Sequence, residues 1–318
     1  MTQDTRPAPP APVLPWTMVA ILIAVGAGLL VPTAFFWEGS LVPAAIGLIA
    51  GLAGGLLGRL GTSLGAGGTL ILAVALLAGS PGIIGVWMIG AVLIALAGIE
   101  ASTVGGRSFV LSLYGFLSVL LVPSTPEPMA ALPFLSLGVA WGAGATWVLG
   151  LTGRVAAPPA KPAFGLGLAL FLFAGLVVTT WVVEWQAAPL GYWMVLLFIF
   201  RAVAPQGRTL RSALRYGVGA TLGCGAAVLL TPLDLPPDVA APLAFALIVV
   251  GLRMLPNPGP WSAAAFTAAI LMGLAPGPEN ALFRLEAALF VVVLTAVLGA
   301  VIDGLWRLVA RQGDGSNA

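Results

Sequence analysis

The chain has 318 residues, 60% hydrophobic and 8% charged, with a net charge of +2 and a mean hydropathy of +1.08. Soluble globular chains carry about 25% charged residues, so this composition excludes an ordinary soluble protein and leaves a polytopic, all-α membrane protein. With no histidine and one cysteine, the sequence excludes Ser-His-Asp and Cys-His catalytic groups, His-ligated zinc or haem and an internal disulfide, so neither enzymatic activity, nor a cofactor, nor a metal is expected.

Residues 1–15 contain Pro7, Pro9, Pro10, Pro12 and Pro15 without apolar periodicity, and read as a disordered cytoplasmic tail. The next apolar stretch, Trp16 to Trp37, is too long for a signal-peptide core and reads as a retained first helix. Breaks at Gly, Pro and charged residues then give spans near 41–58, 61–79, 82–104, 107–122 and 133–152, which complete a first six-helix half over 16–152. A cytoplasmic linker over 153–163 follows. The second half, 164–310, has spans near 164–185, 189–204, 210–230, 239–255, 260–276 and 284–309, and 311–318 forms a cytoplasmic C-terminal tail.

Lys and Arg accumulate in cytoplasmic loops, which tests a count of twelve spans. With the N-terminus inside, Arg6, Arg59, Arg107, Arg154, Lys161, Arg201, Arg208, Arg211, Arg215, Arg253, Arg307 and Arg311 fall on the inner side, and only Arg284 falls outside. Twelve transmembrane helices with both termini cytoplasmic is the resulting topology. The expected location is a bacterial inner membrane, with the lipid bilayer as the principal partner and no role for nucleic acid.

An internal repeat runs through this pattern. Glu38 with Pro43 five residues on matches Glu184 with Pro189, and Gly61-Thr62-Ser63-Leu64-Gly65 matches Gly219-Ala220-Thr221-Leu222-Gly223. An even number of spans per copy makes the repeats parallel, and transport sites form where such repeats meet. Gly-rich apolar sequence also aligns readily by chance. Gly47, Gly51 and Gly55 repeat every four residues, as do Gly219 and Gly223; small residues at this spacing serve helix packing in lipid.

Arg211 and Arg215 lie one turn apart at the start of the ninth span, where a helix N-terminus and two guanidinium groups make an anion-attracting mouth. The plainer alternative is topology anchors that snorkel to the headgroups. Arg59, at the matching position of the first half, and Arg284 complete the candidates for a substrate path. No span has a charge at mid-depth. Asp303, Glu100, Glu38 and Glu184 are the candidates for proton coupling, although each also reads as an end-of-helix charge. Cys224, within Gly223-Cys224-Gly225-Ala226, reads as helix packing. The segment Gly61 to Thr69 has neither a preceding strand nor a following Lys, so it is a helix start and not a phosphate loop.

Gly191-Tyr192-Trp193, the basic run Arg208-Thr209-Leu210-Arg211-Ser212-Ala213-Leu214-Arg215, Gly219 to Gly223 and the span opening at Arg284-Leu285 together resemble the FUSC family, named for fusaric acid resistance. The resemblance is best over 189–309. Arg215 stands four rather than three residues before Gly219, and Ala220 stands where the family usually has Thr. What the resemblance implies is a twelve-helix inner-membrane protein in two six-helix halves, of the type that includes aromatic carboxylic acid exporters and, more distantly, plant malate transporters. The expected function is a secondary transporter or efflux permease for small organic anions, aromatic carboxylic acids among them. Two alternatives remain: a passive anion channel, and a non-transporting membrane subunit that works with a periplasmic adaptor (membrane fusion) protein.

Overall fold

The computed structural model describes residues 13–37, 39–77, 82–121, 127–154, 158–186, 190–203, 210–230, 236–254, 259–273 and 277–315. Of these residues 88% are helical and none is in a strand. The helices are α1 (Trp16–Phe36), α2 (Leu41–Leu57), α3 (Leu60–Leu77), α4 (Ile83–Thr103), α5 (Ser108–Leu121), α6 (Pro128–Val148), α7 (Pro162–Gln186), α8 (Tyr192–Val203), α9 (Leu210–Leu230), α10 (Pro237–Arg253), α11 (Pro260–Gly273) and α12 (Pro278–Gly315).

Proline explains several boundaries. Five helices open on it: Pro128, Pro162, Pro237, Pro260 and Pro278. A first-turn position has no intrahelical N–H bond to lose, and the fixed φ of proline suits helical backbone. The expected break before Pro133 does not occur, because α6 has already begun at Pro128 and carries Pro133 inside it. Likewise α12 starts at Pro278, six residues before the expected 284. At the other ends, Gly105 (φ 76°) and Gly150 (φ 65°) follow α4 and α6 in left-handed backbone, which glycine adopts without steric cost.

Among the described residues seven helices are long and apolar enough to cross a membrane: α1, α3, α4, α6 and α7, with residues 213–230 of α9 and 278–305 of α12. Three further apolar helices, α2, α5 and α11, are 14 to 17 residues long. At ~1.5 Å per residue they measure about 21–26 Å, less than a typical hydrocarbon core of about 30 Å. Outward-facing residues such as Leu72, Leu76, Met88, Val92, Val293 and Val297 are exposed. In water such a surface would drive association; against lipid chains it needs no cover. The chain is thus an all-helical protein with the pattern of a multi-pass membrane protein.

The chain divides into two compact units. The larger comprises Ile23–Leu214 and Glu286–Ala318, and the smaller Met1–Leu22 and Arg215–Leu285. In the larger unit the most extensive contact joins α2 to α6, with α3 and α5 packed behind, α4 against α7, and α8 against α5 and α7. The α2–α6 seam follows from glycine spacing. A Cβ at Gly47 would overlap the Leu135 carbonyl, one at Gly51 the Val139 carbonyl, and one at Gly55 the Thr146 hydroxyl. From the other side, Gly138 and Gly142 of α6 meet the α2 backbone at Ala44, Leu48 and Leu52 in the same way. Glycine every four residues puts one bare strip of backbone on each helix face, so the two main chains touch.

The smaller unit uses the same device. Gly219 and Gly223 of α9 meet α11 at Pro260 and Ala264, and α10 packs along α11. At its edge the Leu14 N–H donates to the Arg253 carbonyl at 2.9 Å, and the Arg253 guanidinium lies 4.2 Å from the Trp16 ring centroid.

Gly51→Ala tests the seam. It should lower the thermal unfolding midpoint of the detergent-solubilised protein, since overpacking costs about 1–3 kcal/mol. Gly65→Ala, on α3 with nothing within 4 Å of the added carbon, should leave the midpoint unchanged or raise it.

Candidate functional site

Among the described residues three charged side chains are buried, Glu100 and Arg107 in the larger unit and Arg284 in the smaller. In the larger unit Glu100 occupies the last turn of α4 and is 3% exposed. The Val104 and Gly105 N–H groups both donate to the Glu100 carbonyl at 3.0 Å, closing the helix. The chain then reverses through Gly105 and Gly106 into α5. That reversal sets the Glu100 side chain against the α5 N-terminus, where Oε2 accepts a 3.0 Å hydrogen bond from the Phe109 N–H. The carboxylate of one helix thereby does the work of an N-cap for the next, at the end where the helix dipole favours negative charge.

Several small residues make this possible. A Cβ at Gly106 would overlap Glu100 Oε1, so glycine at this position leaves room for the carboxylate where it stands. Ser108 and Ser112 on α5 donate to Gly54 (3.1 Å) and Ala66 (2.7 Å), and Ser63 on α3 donates to Gly51 (3.2 Å). These bonds tie α5 and α3 to one another and to the α2 backbone exposed by the glycine strip. Arg107, in the same loop, is 5% exposed and lies with its guanidinium 5.4 Å from the Phe164 ring centroid. Glu100 Oε1 is buried and has no hydrogen-bond partner.

In the smaller unit Arg284 is 7% exposed, on the second turn of α12. Its guanidinium acts electrostatically on the thiol of Cys224 in α9, which is itself buried. The expectation that Arg284 is an outer-loop charge rested on starting the span at residue 284. With the helix starting at Pro278, Arg284 is about 9 Å along it, at ~1.5 Å per residue.

The other anticipated residues are distributed differently. Arg59 is exposed at the α2–α3 turn, where its N–H donates to Thr62 Oγ1 at 2.9 Å. Arg215 and Asp303 are exposed on α9 and α12. The Arg211 side chain and Glu38 lie outside the described residues. Glu184 is exposed at the end of α7, on the rim of a 230 Å³ apolar cleft lined by Ile83, Val86, Leu121, Thr180, Val183 and Val195. There the Trp87 Nε1–H donates to Thr180 Oγ1 at 2.8 Å. Thus Glu100 and Arg284 are buried, whereas Arg59, Arg215, Glu184 and Asp303 are at the surface.

Arg107 was read from sequence only as a topology charge. Its setting, after Gly105-Gly106 and before Ser108, is the signal available for it: a cation in a loop too short to leave the helix ends.

Comparison with family models, with curated proteins and with solved structures finds no match to this chain.

A double-mutant cycle tests the Glu100 cap. Gly106→Ala and Glu100→Ala should each lower the unfolding midpoint, the latter by the loss of a cap, about 0.5–2 kcal/mol. The double variant should lose less than the sum, because the carboxylate that the new Cβ strikes is then absent.

Proposed function

We propose that this protein is a bacterial inner-membrane secondary transporter or efflux permease for small organic anions, aromatic carboxylates among them. The observation that carries the reading is Arg284, a cation 7% exposed on an apolar helix. Arg284 lies about 9 Å into α12, and ionisable residues enclosed in an apolar span are costly and mark ligand or ion pathways. A guanidinium offers planar, charge-assisted hydrogen bonds matched to a carboxylate. In this reading Arg284 is the cation met inside the bundle, and Arg59, Arg211 and Arg215 attract the anion at the membrane surface.

The reading includes twelve spans arranged as two parallel six-helix repeats with both termini cytoplasmic. Corresponding packing in the two halves supports it: α3 packs on α5 and α4 on α5 in the first, and α9 packs on α11 and α10 on α11 in the second. The likeness of the Arg208–Gly223 and Arg284-Leu285 segments to the FUSC family also supports it.

Uptake of radiolabelled benzoate and malate into proteoliposomes is the test. Wild-type protein should give saturable flux, and Arg284→Gln should reduce it about tenfold or more, the equivalent of one charge-assisted hydrogen bond. Arg284→Lys should retain part of it. Flux unchanged by Arg284→Gln would remove this residue from the path, and a wild-type flux that follows voltage alone would make the protein a passive channel.

A further inference from the structure

The Glu100 carboxylate divides its two oxygens between different surroundings. Oε2 faces the α5 N-terminus and accepts from the Phe109 N–H. Oε1 is out of contact with solvent, pressed against Gly106, and accepts nothing. An ionised carboxylate withdrawn from water needs donors on both oxygens, and one without them lowers its desolvation cost by binding a proton.

Among the described residues of the helices packed on α4, the charged side chains near its ends other than Glu100 and the buried Arg107 are exposed. The helices packed on α4 are α3, α5 and α7. Arg59 before α3 and Lys161 before α7 are exposed, Tyr114 of α5 packs on Phe200 at 5.8 Å, and Glu184 is exposed at the opposite end of α7. Thr103, three residues beyond Glu100, is exposed at the end of α4.

We propose that Glu100 Oε1 is a proton-binding site, and that its occupancy sets how firmly α5 is capped. With the proton absent, the carboxylate holds the Phe109 N–H by a charge-assisted bond. With a proton taken from water onto Oε1, the group is a neutral carboxylic acid, and Oε2 holds the same N–H more weakly. Ser108 and Ser112 carry that change to α2 and α3, whose backbones they bind. Use of this site in coupling rests on the transport reading above; the proton site itself does not.

Infrared difference spectroscopy of the full chain in lipid, between neutral and acid pH, tests the proposal. The wild type should gain a carboxylic-acid C=O band on acidification. Glu100→Gln, of the same shape, should lose one component of that band, whereas Glu184→Gln should leave that component in place. Hydrogen exchange at residues 107–112, corrected for the intrinsic rate, should rise with acidification in the wild type and be independent of pH in Glu100→Gln. If Glu100→Gln does not reconstitute, Glu100→Asp, which retracts the carboxyl by one methylene, should shift the midpoint of that band. Wild-type and Glu100→Gln spectra that titrate identically, or a Glu100→Asp spectrum superimposable on the wild type, would overturn the assignment. A band that behaves as expected in a protein that moves no carboxylate would sink the transport reading and leave the proton site standing.

Discussion

Between helices surrounded by lipid there is no hydrophobic force to spend, because the tails are as apolar as the side chains they would replace. What remains is close packing, and the α2–α6 seam is where this chain secures it. Gly47, Gly51 and Gly55 on one helix and Gly138 and Gly142 on the other bring two backbones into direct contact. The rest of the larger unit is referenced to that contact. The α2 carbonyls at Gly51 and Gly54 receive Ser63 of α3 and Ser108 of α5, and the Gly153 N–H beyond α6 returns to the Gly55 carbonyl at 2.9 Å. A helix whose side chains kept its neighbours ~8–10 Å away, as in ordinary packing, would not present its carbonyls this way.

The same arrangement makes the buried charges tolerable. Glu100 is held by a helix N-terminus that Ser108 and Ser112 fix in place, so the dipole that stabilises the carboxylate cannot drift from it. That stabilisation is worth ~0.3–1 kcal/mol at an exposed helix end and up to ~2 in partly buried geometry. It is comparable to the cost of one polar atom left unbonded, ~1–3 kcal/mol, which is the position of Glu100 Oε1. Arg284 is a different case. It is a buried cation on an apolar helix, and its guanidinium acts on the buried Cys224 thiol. In the transport reading, the one group suits a proton and the other an anion.

Much of the fold was legible in the sequence, because two signals there are purely geometric. Apolar length locates helices in lipid, and glycine every four residues locates close approach; Gly51 and Gly219 stand at the contacts their spacing implies. Helix starts were less legible. Proline is both a breaker and a first-turn residue, and only the fold tells Pro128, which opens α6, from Pro133, which lies within it. Crossing lengths were less legible: where the sequence gives a short span near 107–122, the helix α5 has 14 residues. The buried charges were the least visible. Glu100 and Asp303 look alike along the chain, each near a helix end, yet one is enclosed by a Gly-Gly reversal and the other is exposed. Burial of that kind is made by a loop folding back, which leaves no periodic trace.

In the transport reading, anions move through this protein and meet a fixed cation within it. Electrical recording from proteoliposomes adsorbed on a solid-supported membrane addresses it most directly, by stepping the concentration of benzoate or malate and reading the charge displaced. The account expects a transient that saturates with carboxylate and is absent from protein-free liposomes. A folded, reconstituted protein that gives the protein-free trace for every carboxylate would contradict it.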